Sequence, residues 1–214
     1  MKNIAQRAVR ALVAAAATVL LISSVPAAAQ DGAVADDRTP VSRGETADTG
    51  DMAVLAAPGP EWVTMYPKHT DSLWTGNQNV DRCADVADNS QANGARVILW
   101  DCAFSNNQQW AGILTVDPTR GDLSYMFANR RTGKCMDVAD NSMADGARVI
   151  QYNCHNGWNQ QWEAIEVGDF LYQYKNRRTG KCLDVADSST ANGSALVQWT
   201  CHSGANQQWT SYIA

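Results

Sequence analysis

The chain has 214 residues, 17 of them basic and 22 acidic, for a net charge of −5 and a pI near 5.1. That length holds one domain of ordinary size with a small appendage. The acidic balance argues against a protein that gains affinity by neutralising phosphates or a polybasic membrane binder. Of the 22 acids 18 are Asp, a residue that favours turns and caps over helix interiors, which argues against long helical bundles.

Lys2, Arg7 and Arg10 precede an apolar run from Ala11 to Ile22, and Val25-Pro-Ala-Ala-Ala29 supplies small residues for a peptidase. Residues 1–29 read as a secretory signal peptide cut after Ala29, because the run is short for a membrane span. The mature chain would carry −8. Residues 30–60 hold six acids against Arg38 and Arg43 and no aromatic residue. They read as an acidic flexible linker, since such a stretch buries too little apolar area to offset its ordering entropy.

The remainder, 61–214, repeats itself three times. Each copy carries Cys-x-Asp-Val-Ala-Asp (from Cys83, Cys135 and Cys182), then Asn-Gly or Asp-Gly, then a short β-forming run closing on a second cysteine, then Asn-Gln-Gln-Trp ending at Trp110, Trp162 and Trp209. First cysteines stand 52 and 47 residues apart, and the two cysteines of every copy are 19 apart. Agreement at four anchor points in three copies marks an internal repeat, with units at about 73–120, 121–168 and 169–214. Val97-Ile-Leu-Trp100 and its equivalents read as short strands behind strong turn signals. Asn129-Arg-Arg-Thr-Gly133 and Asn176-Arg-Arg-Thr-Gly180 read as solvated hairpin tips. A unit of this size cannot stand alone, so three must share a core, with the three closing Trp wedged into it.

Equivalent cysteines must do equivalent things in a repeat, which selects Cys83–Cys102, Cys135–Cys154 and Cys182–Cys201, in keeping with an exported chain. A metal site does not fit, because there is no Cys-x-x-Cys pair and only three His. No cofactor is expected.

Three copies ending in Gln-x-Trp, each with Cys-x-Asp-Val and a Trp or Tyr two residues before the second cysteine, resemble the ricin B-type lectin repeat, which also defines the family 13 carbohydrate-binding modules of secreted bacterial glycanases. The resemblance covers about Trp62 to Ala214. It implies an all-β fold, a β-trefoil of twelve strands in which a six-stranded barrel is capped by three hairpins, and up to three sugar pockets.

The residues suit a saccharide, whose ring offers an apolar C–H face to a flat aromatic and a belt of hydroxyls to directed polar groups. Trp100, Tyr152 and Trp199 lie two residues before a bridged cysteine, and Asp85, Asp137 and Asp184 two residues after one. An ionised Asp can accept from two adjacent hydroxyls, and such charge-assisted bonds are strong. By resemblance the third site would be Asp184, Gln198, Trp199, His202, Asn206 and Gln207. The second would be Asp137, Gln151, Tyr152, His155, Asn159 and Gln160. The first would use Asp85, Trp100, Asn107 and Gln108. It departs from the pattern, with Leu99 in place of Gln151 and Gln198, and Ala103 in place of His155 and His202. Two lost polar contacts, each worth about 1 kcal/mol, make it the weak or silent site.

Blander readings stand beside these. Asp88, Asp140 and Asp187 are expected to cap turns rather than bind. The Gln of each Gln-x-Trp could hold the pocket Asp instead of the ligand, and the two His could be ordinary surface residues. His69, Trp62, Trp74 and Trp158 fit no site.

A glycosidase needs paired carboxyl groups about 5–9.5 Å apart. One principal Asp per lobe does not supply them, and neither Gly-x-Ser-x-Gly nor His-Glu-x-x-His occurs. The expected function is a secreted, extracellular, non-catalytic carbohydrate-binding protein, with galactose- or xylose-type glycans as the family's usual targets. Its partners would be sugars or polysaccharides, including cell-surface glycans or the substrate of a separate secreted enzyme. Nucleic acid and membrane insertion are not expected, and a monomer is. The rival from another class is a trefoil that binds a protein, as an inhibitor or a toxin-delivery subunit does.

Overall fold

The computed structural model describes residues 61–77, 81–117 and 119–214. The signal peptide and the acidic linker lie outside the described residues. Twelve strands follow in chain order: β1 (Val63–Pro67), β2 (Arg82–Val86), β3 (Val97–Asp101), β4 (Gln109–Val116), β5 (Leu123–Asn129), β6 (Cys135–Val138), β7 (Ala147–Tyr152), β8 (Trp162–Gly168), β9 (Leu171–Asn176), β10 (Cys182–Val185), β11 (Leu196–Trp199) and β12 (Trp209–Ile213). Among the described residues the α-helix is a single turn, Ser72–Thr75, with Asp71 accepting from the Leu73 N–H at its start.

Six strands close a ring: β1 pairs with β4, β4 with β5, β5 with β8, β8 with β9, β9 with β12, and β12 with β1. Ring closure leaves the barrel without an edge. The other six form hairpins β2–β3, β6–β7 and β10–β11. These touch one another in a triangle, through Val197↔Arg148, Arg96↔Ile150 and Ile98↔Ala195. The result is a β-trefoil with four strands per copy. The first repeat therefore begins with β1 at Val63, ahead of the residue 73 suggested by spacing; β1 carries none of the motif, so repetition alone could not find it.

The core forms where the three copies meet. Trp110, Trp162 and Trp209 are fully buried among Leu99, Met136, Leu183 and Phe127. Trp110 donates its indole N–H to the Ala84 carbonyl and Trp209 to that of Leu183, both at 3.0 Å. Three disulfides join Cys83–Cys102, Cys135–Cys154 and Cys182–Cys201, as the repeat required.

The hairpin tips are exposed at Arg130, Arg131, Gly133, Arg178 and Gly180, as expected, but their bases are anchored. Asn129 and Asn176 are buried and donate to the carbonyls of Asn107 and Asn159 at 3.0 Å, tying each tip to the preceding copy's amide loop. Arg177 is nearly buried, ion-paired with Asp117, and stacked on Trp158 at 4.8 Å from the ring centre. Arg130 sits over Trp62 and Lys68 over Trp74. Three of the aromatic residues without a site are thus platforms for cations, two of them at the hairpin tips.

Candidate functional site

The pocket geometry follows from strand alternation. In β10–β11, Cys182 faces Trp199 and Asp184 faces Val197, while Leu183 faces Gln198 and Val185 faces Leu196. Directly opposed residues share a sheet face, and neighbours along a strand take opposite faces. Asp184 and the Trp199 ring therefore share the outer face, and Leu183 and Gln198 the inner one. The register is the same in β6–β7, with Cys135↔Tyr152 and Asp137↔Ile150, and in β2–β3, with Cys83↔Trp100 and Asp85↔Ile98. The aromatic residues stand out from the surface, Trp100 46%, Tyr152 41% and Trp199 44% exposed.

In the third copy a cavity of about 380 Å³ is lined by Asp184, Asp187, Ser188, Trp199, His202 and Asn206, with Gly146 of the second copy in its wall. Asp184 lies at its base, buried. Asn206 Nδ2 donates to Asp184 Oδ1 at 2.9 Å, Gln207 Nε2 donates to Oδ2 at 2.5 Å, and His202 Nε2 lies 3.4 Å from Oδ2. In the second copy Gln160 Nε2 reaches Asp137 Oδ2 at 2.8 Å, His155 Nε2 stands 3.3 Å from the same atom, and Asn159 donates to the Val138 carbonyl. The Tyr152 and His155 rings meet edge to face, 6.1 Å apart.

The backbone fixes the imidazole tautomer. Gly157 N–H donates to His155 Nδ1 at 3.1 Å and Gly204 N–H to His202 Nδ1 at 3.0 Å. With Nδ1 accepting, the proton sits on Nε2 and points at the carboxylate, so a neutral His already serves as a donor. Burial raises the Asp137 and Asp184 carboxyls above their ordinary range, opposed by the Gln amides and the imidazoles.

The first copy keeps a cavity of about 280 Å³, lined by Asp85, Asp88, Asn89, Ile98, Trp100 and Asn107. Asn107 and Gln108 donate to Asp85 Oδ2 at 3.0 and 2.8 Å. With no imidazole beside it, burial pushes the Asp85 carboxyl up to about 6, and the Asp88 charge adds to the rise.

Two groups of expected site residues take other places. Gln151 and Gln198 are fully buried on the inner face. Gln151 donates to the carbonyls of Ser90 and Ala92 and accepts from Thr132; Gln198 donates to those of Ser142 and Ala144 and accepts from Thr179. They bolt one copy to the loop of the copy before it, with no side-chain atom left for a ligand. Leu99 therefore costs the first site no sugar contact. The two carbonyls it leaves are met by His69 Nε2 on Ser189 O at 3.0 Å and Ser194 Oγ on Ala191 O at 2.7 Å, which gives His69 its place.

Gln108, Gln160 and Gln207 are likewise buried. Each spends its second N–H on a strand-end carbonyl and its oxygen on the N–H of Ala103, His155 or His202. They position the pocket carboxylate rather than face the cavity.

Asp88 and Asp187, read from sequence as turn residues, do sit at positive φ, 56° and 57°, yet both line cavities. Their Asp-x-x-Asp spacing from the pocket acid was the available signal. The neighbouring copy's contribution was hidden. Gly94 N–H donates to the Gln151 carbonyl, Gly146 to that of Gln198 and Gly193 to that of Leu99. Each Asn-Gly or Asp-Gly loop thus closes against the next copy's strand, a long-range relation that local spacing does not encode.

Residues 75–209 match the family model of the ricin-type β-trefoil lectin domain. The chain belongs to that family. Among solved structures, this ricin-type chain is 34% identical to ThreeFoil, a designed threefold-symmetric protein, with a TM-score of 0.62 over 72% of this chain and 99% of that one. It is 30% identical to an exo-β-1,3-galactanase from Clostridium thermocellum, with a TM-score of 0.63 over 74% of this chain. It spans only 31% of the galactanase. A lectin from Polyporus squamosus, 18% identical, shares the fold with a TM-score of 0.56 over 73% of this chain and 50% of that one.

Proposed function

We propose that this ricin-type lectin is a secreted, non-catalytic carbohydrate-binding protein that holds galactose- or xylose-type glycans in shallow pockets, chiefly those of the second and third copies. One observation carries the reading: a buried, hydrogen-bonded Asp184 at the base of an open cavity whose rim is the half-exposed Trp199 ring. The ring offers a flat apolar face to sugar C–H groups, while Asp184, His202 and Asn206 meet hydroxyls with both acceptors and donors. The disulfide sets ring and acid on adjacent strands at fixed separation. The galactose preference is supported by the likeness to a module-sized part of an exo-β-1,3-galactanase. Secretion is supported by the leader-like first 29 residues and three disulfides.

A binding role also fits the state of the acid. Both Asp184 oxygens are engaged by protein donors, an arrangement that orients a carboxylate to accept and leaves it poorly placed to deliver a proton. A single pocket of this openness binds at about millimolar Kd, about −4 kcal/mol, so useful retention comes from engaging several pockets on one polymer. A glycan and polysaccharide array with the mature chain tests the reading. Galactan or xylan retention without release of sugar is expected, and steady hydrolysis or indifference to every glycan would overturn it.

A further inference from the structure

The first pocket is a differently equipped site rather than a decayed one. Its cavity is open, and Trp100 is as exposed as Trp199. Its two departures from the other copies form a matched pair. A Cβ on Gly157 or Gly204 would stand 2.5 or 2.6 Å from the His155 or His202 ring, so the imidazole demands glycine two residues on. The first copy has Ala103 and Ser105 at those positions. Ser105 donates to Asn107 Oδ1 at 2.6 Å and turns the amide so that Nδ2 reaches Asp85. The exchange keeps the carboxylate held and removes the one basic group of the pocket.

The pocket then carries Asp85 and Asp88 with no basic side chain in its lining. Arg82, the nearest cation in sequence, is committed to Asp101 at 2.6 Å. Asp85 is more than nine-tenths buried, both its donors sit on Oδ2, and Oδ1 takes no hydrogen bond among the described residues. Asn206 occupies the corresponding Oδ1 of Asp184 in the third pocket; in the second, Gln160 and His155 also lie on Oδ2 of Asp137, so what sets the first pocket apart is the lack of an imidazole beside its carboxylate. A free carboxylate oxygen, a second acid and an indole face together form a receptor for a cation carried on a sugar ring. We infer that the first pocket selects a sugar bearing a free ammonium group, an amino sugar, with the ring on Trp100 and the ammonium on Asp85 Oδ1 beside Asp88.

This inference rests on the reading of the fold as a sugar binder, and the two can fail separately. The experiment is calorimetric titration of the full chain with a fully deacetylated glucosamine tetramer and with its N-acetylated counterpart, at physiological salt. The deacetylated tetramer is expected to bind at least tenfold more tightly. Tyr152→Ala with Trp199→Ala, which silences the other pockets, should leave that affinity within twofold. Trp100→Ala should lower it at least fivefold, as should Asp88→Asn, which removes charge without volume. Ala103→His with Ser105→Gly, which installs the matched pair of the other copies, should also lower it severalfold, while Asp169→Asn at a remote exposed turn should not. Equal affinity for the two tetramers, or indifference to Trp100→Ala, Asp88→Asn and the paired substitution, would overturn the inference. Loss of every neutral glycan from the wild-type chain would instead count against the second and third pockets.

Discussion

Thr179 Oγ1 donates a 2.8 Å hydrogen bond to Oε1 of Gln198, and that bond separates stability from binding in this fold. Gln198 was a candidate ligand contact by resemblance, yet it lies on the core face and satisfies two carbonyls of the second copy. Gln198→Leu should therefore cost about 2–3 kcal/mol, because three partly buried polar groups each lose a hydrogen bond worth about 1 kcal/mol, and should leave glycan affinity within twofold. Thermal unfolding and titration of one variant check both halves.

The hairpin strands that carry the motif, the disulfides and the three buried Trp were legible because each is written three times at a spacing constant within its copy. The faces were legible in part. Alternation places Asp184 and Trp199 together, and applied strictly it also excludes Gln198, which lies between Val197 and Trp199. What misled was the resemblance, which carried Gln198 into the site together with its neighbour Trp199. Gly146 in the third wall, Trp158 under Arg177 and His69 on Ser189 were not legible. These contacts join different copies, and nothing in the local pattern of one copy reports the loop of another.

Gly204 is expected to matter through His202. Its N–H holds Nδ1, and a Cβ there would strike the ring and Asn206 Oδ1 at 2.6 Å. Gly204→Ala should weaken the third pocket about fivefold to tenfold, about 1–1.4 kcal/mol. The fold should stay intact, since the loop is at the surface. Titration of the variant in a Tyr152→Ala background isolates the effect.

Asp85 makes stability depend on pH in a defined direction. Its folded value, about 6, lies above the ordinary value of 3.8, so the folded protein takes up this proton before the unfolded chain does. The destabilisation is full above about pH 6, shrinks as pH falls through that value, and is gone below about 4. Asp85→Asn keeps an acceptor for Asn107 and Gln108 and should raise stability at pH 7.5 by about 1 kcal/mol, with allowance for solvent screening at the pocket mouth. The gain should fade toward pH 4.5. Melting curves across that range test it.

Each disulfide closes a loop of 19 residues, worth about 3 kcal/mol in the chain-entropy model. Cys182→Ala with Cys201→Ala should lower stability by about that amount. It should also weaken the third pocket more than the second, because only the former loses the bridge between the strands carrying Asp184 and Trp199. Equal weakening of both pockets would mean that the bridge acts on the fold as a whole.

The most direct test of the account is polysaccharide affinity electrophoresis of Tyr152→Ala, Trp199→Ala and the double variant on the galactan or xylan that the wild type retains. Both rings stand outside the core, so melting temperatures should stay within about 3 °C of wild type. Each single variant should lose about tenfold in affinity and the double variant about a hundredfold, as two linked pockets fail in turn. A folded double variant that migrates with wild-type retardation would contradict the account.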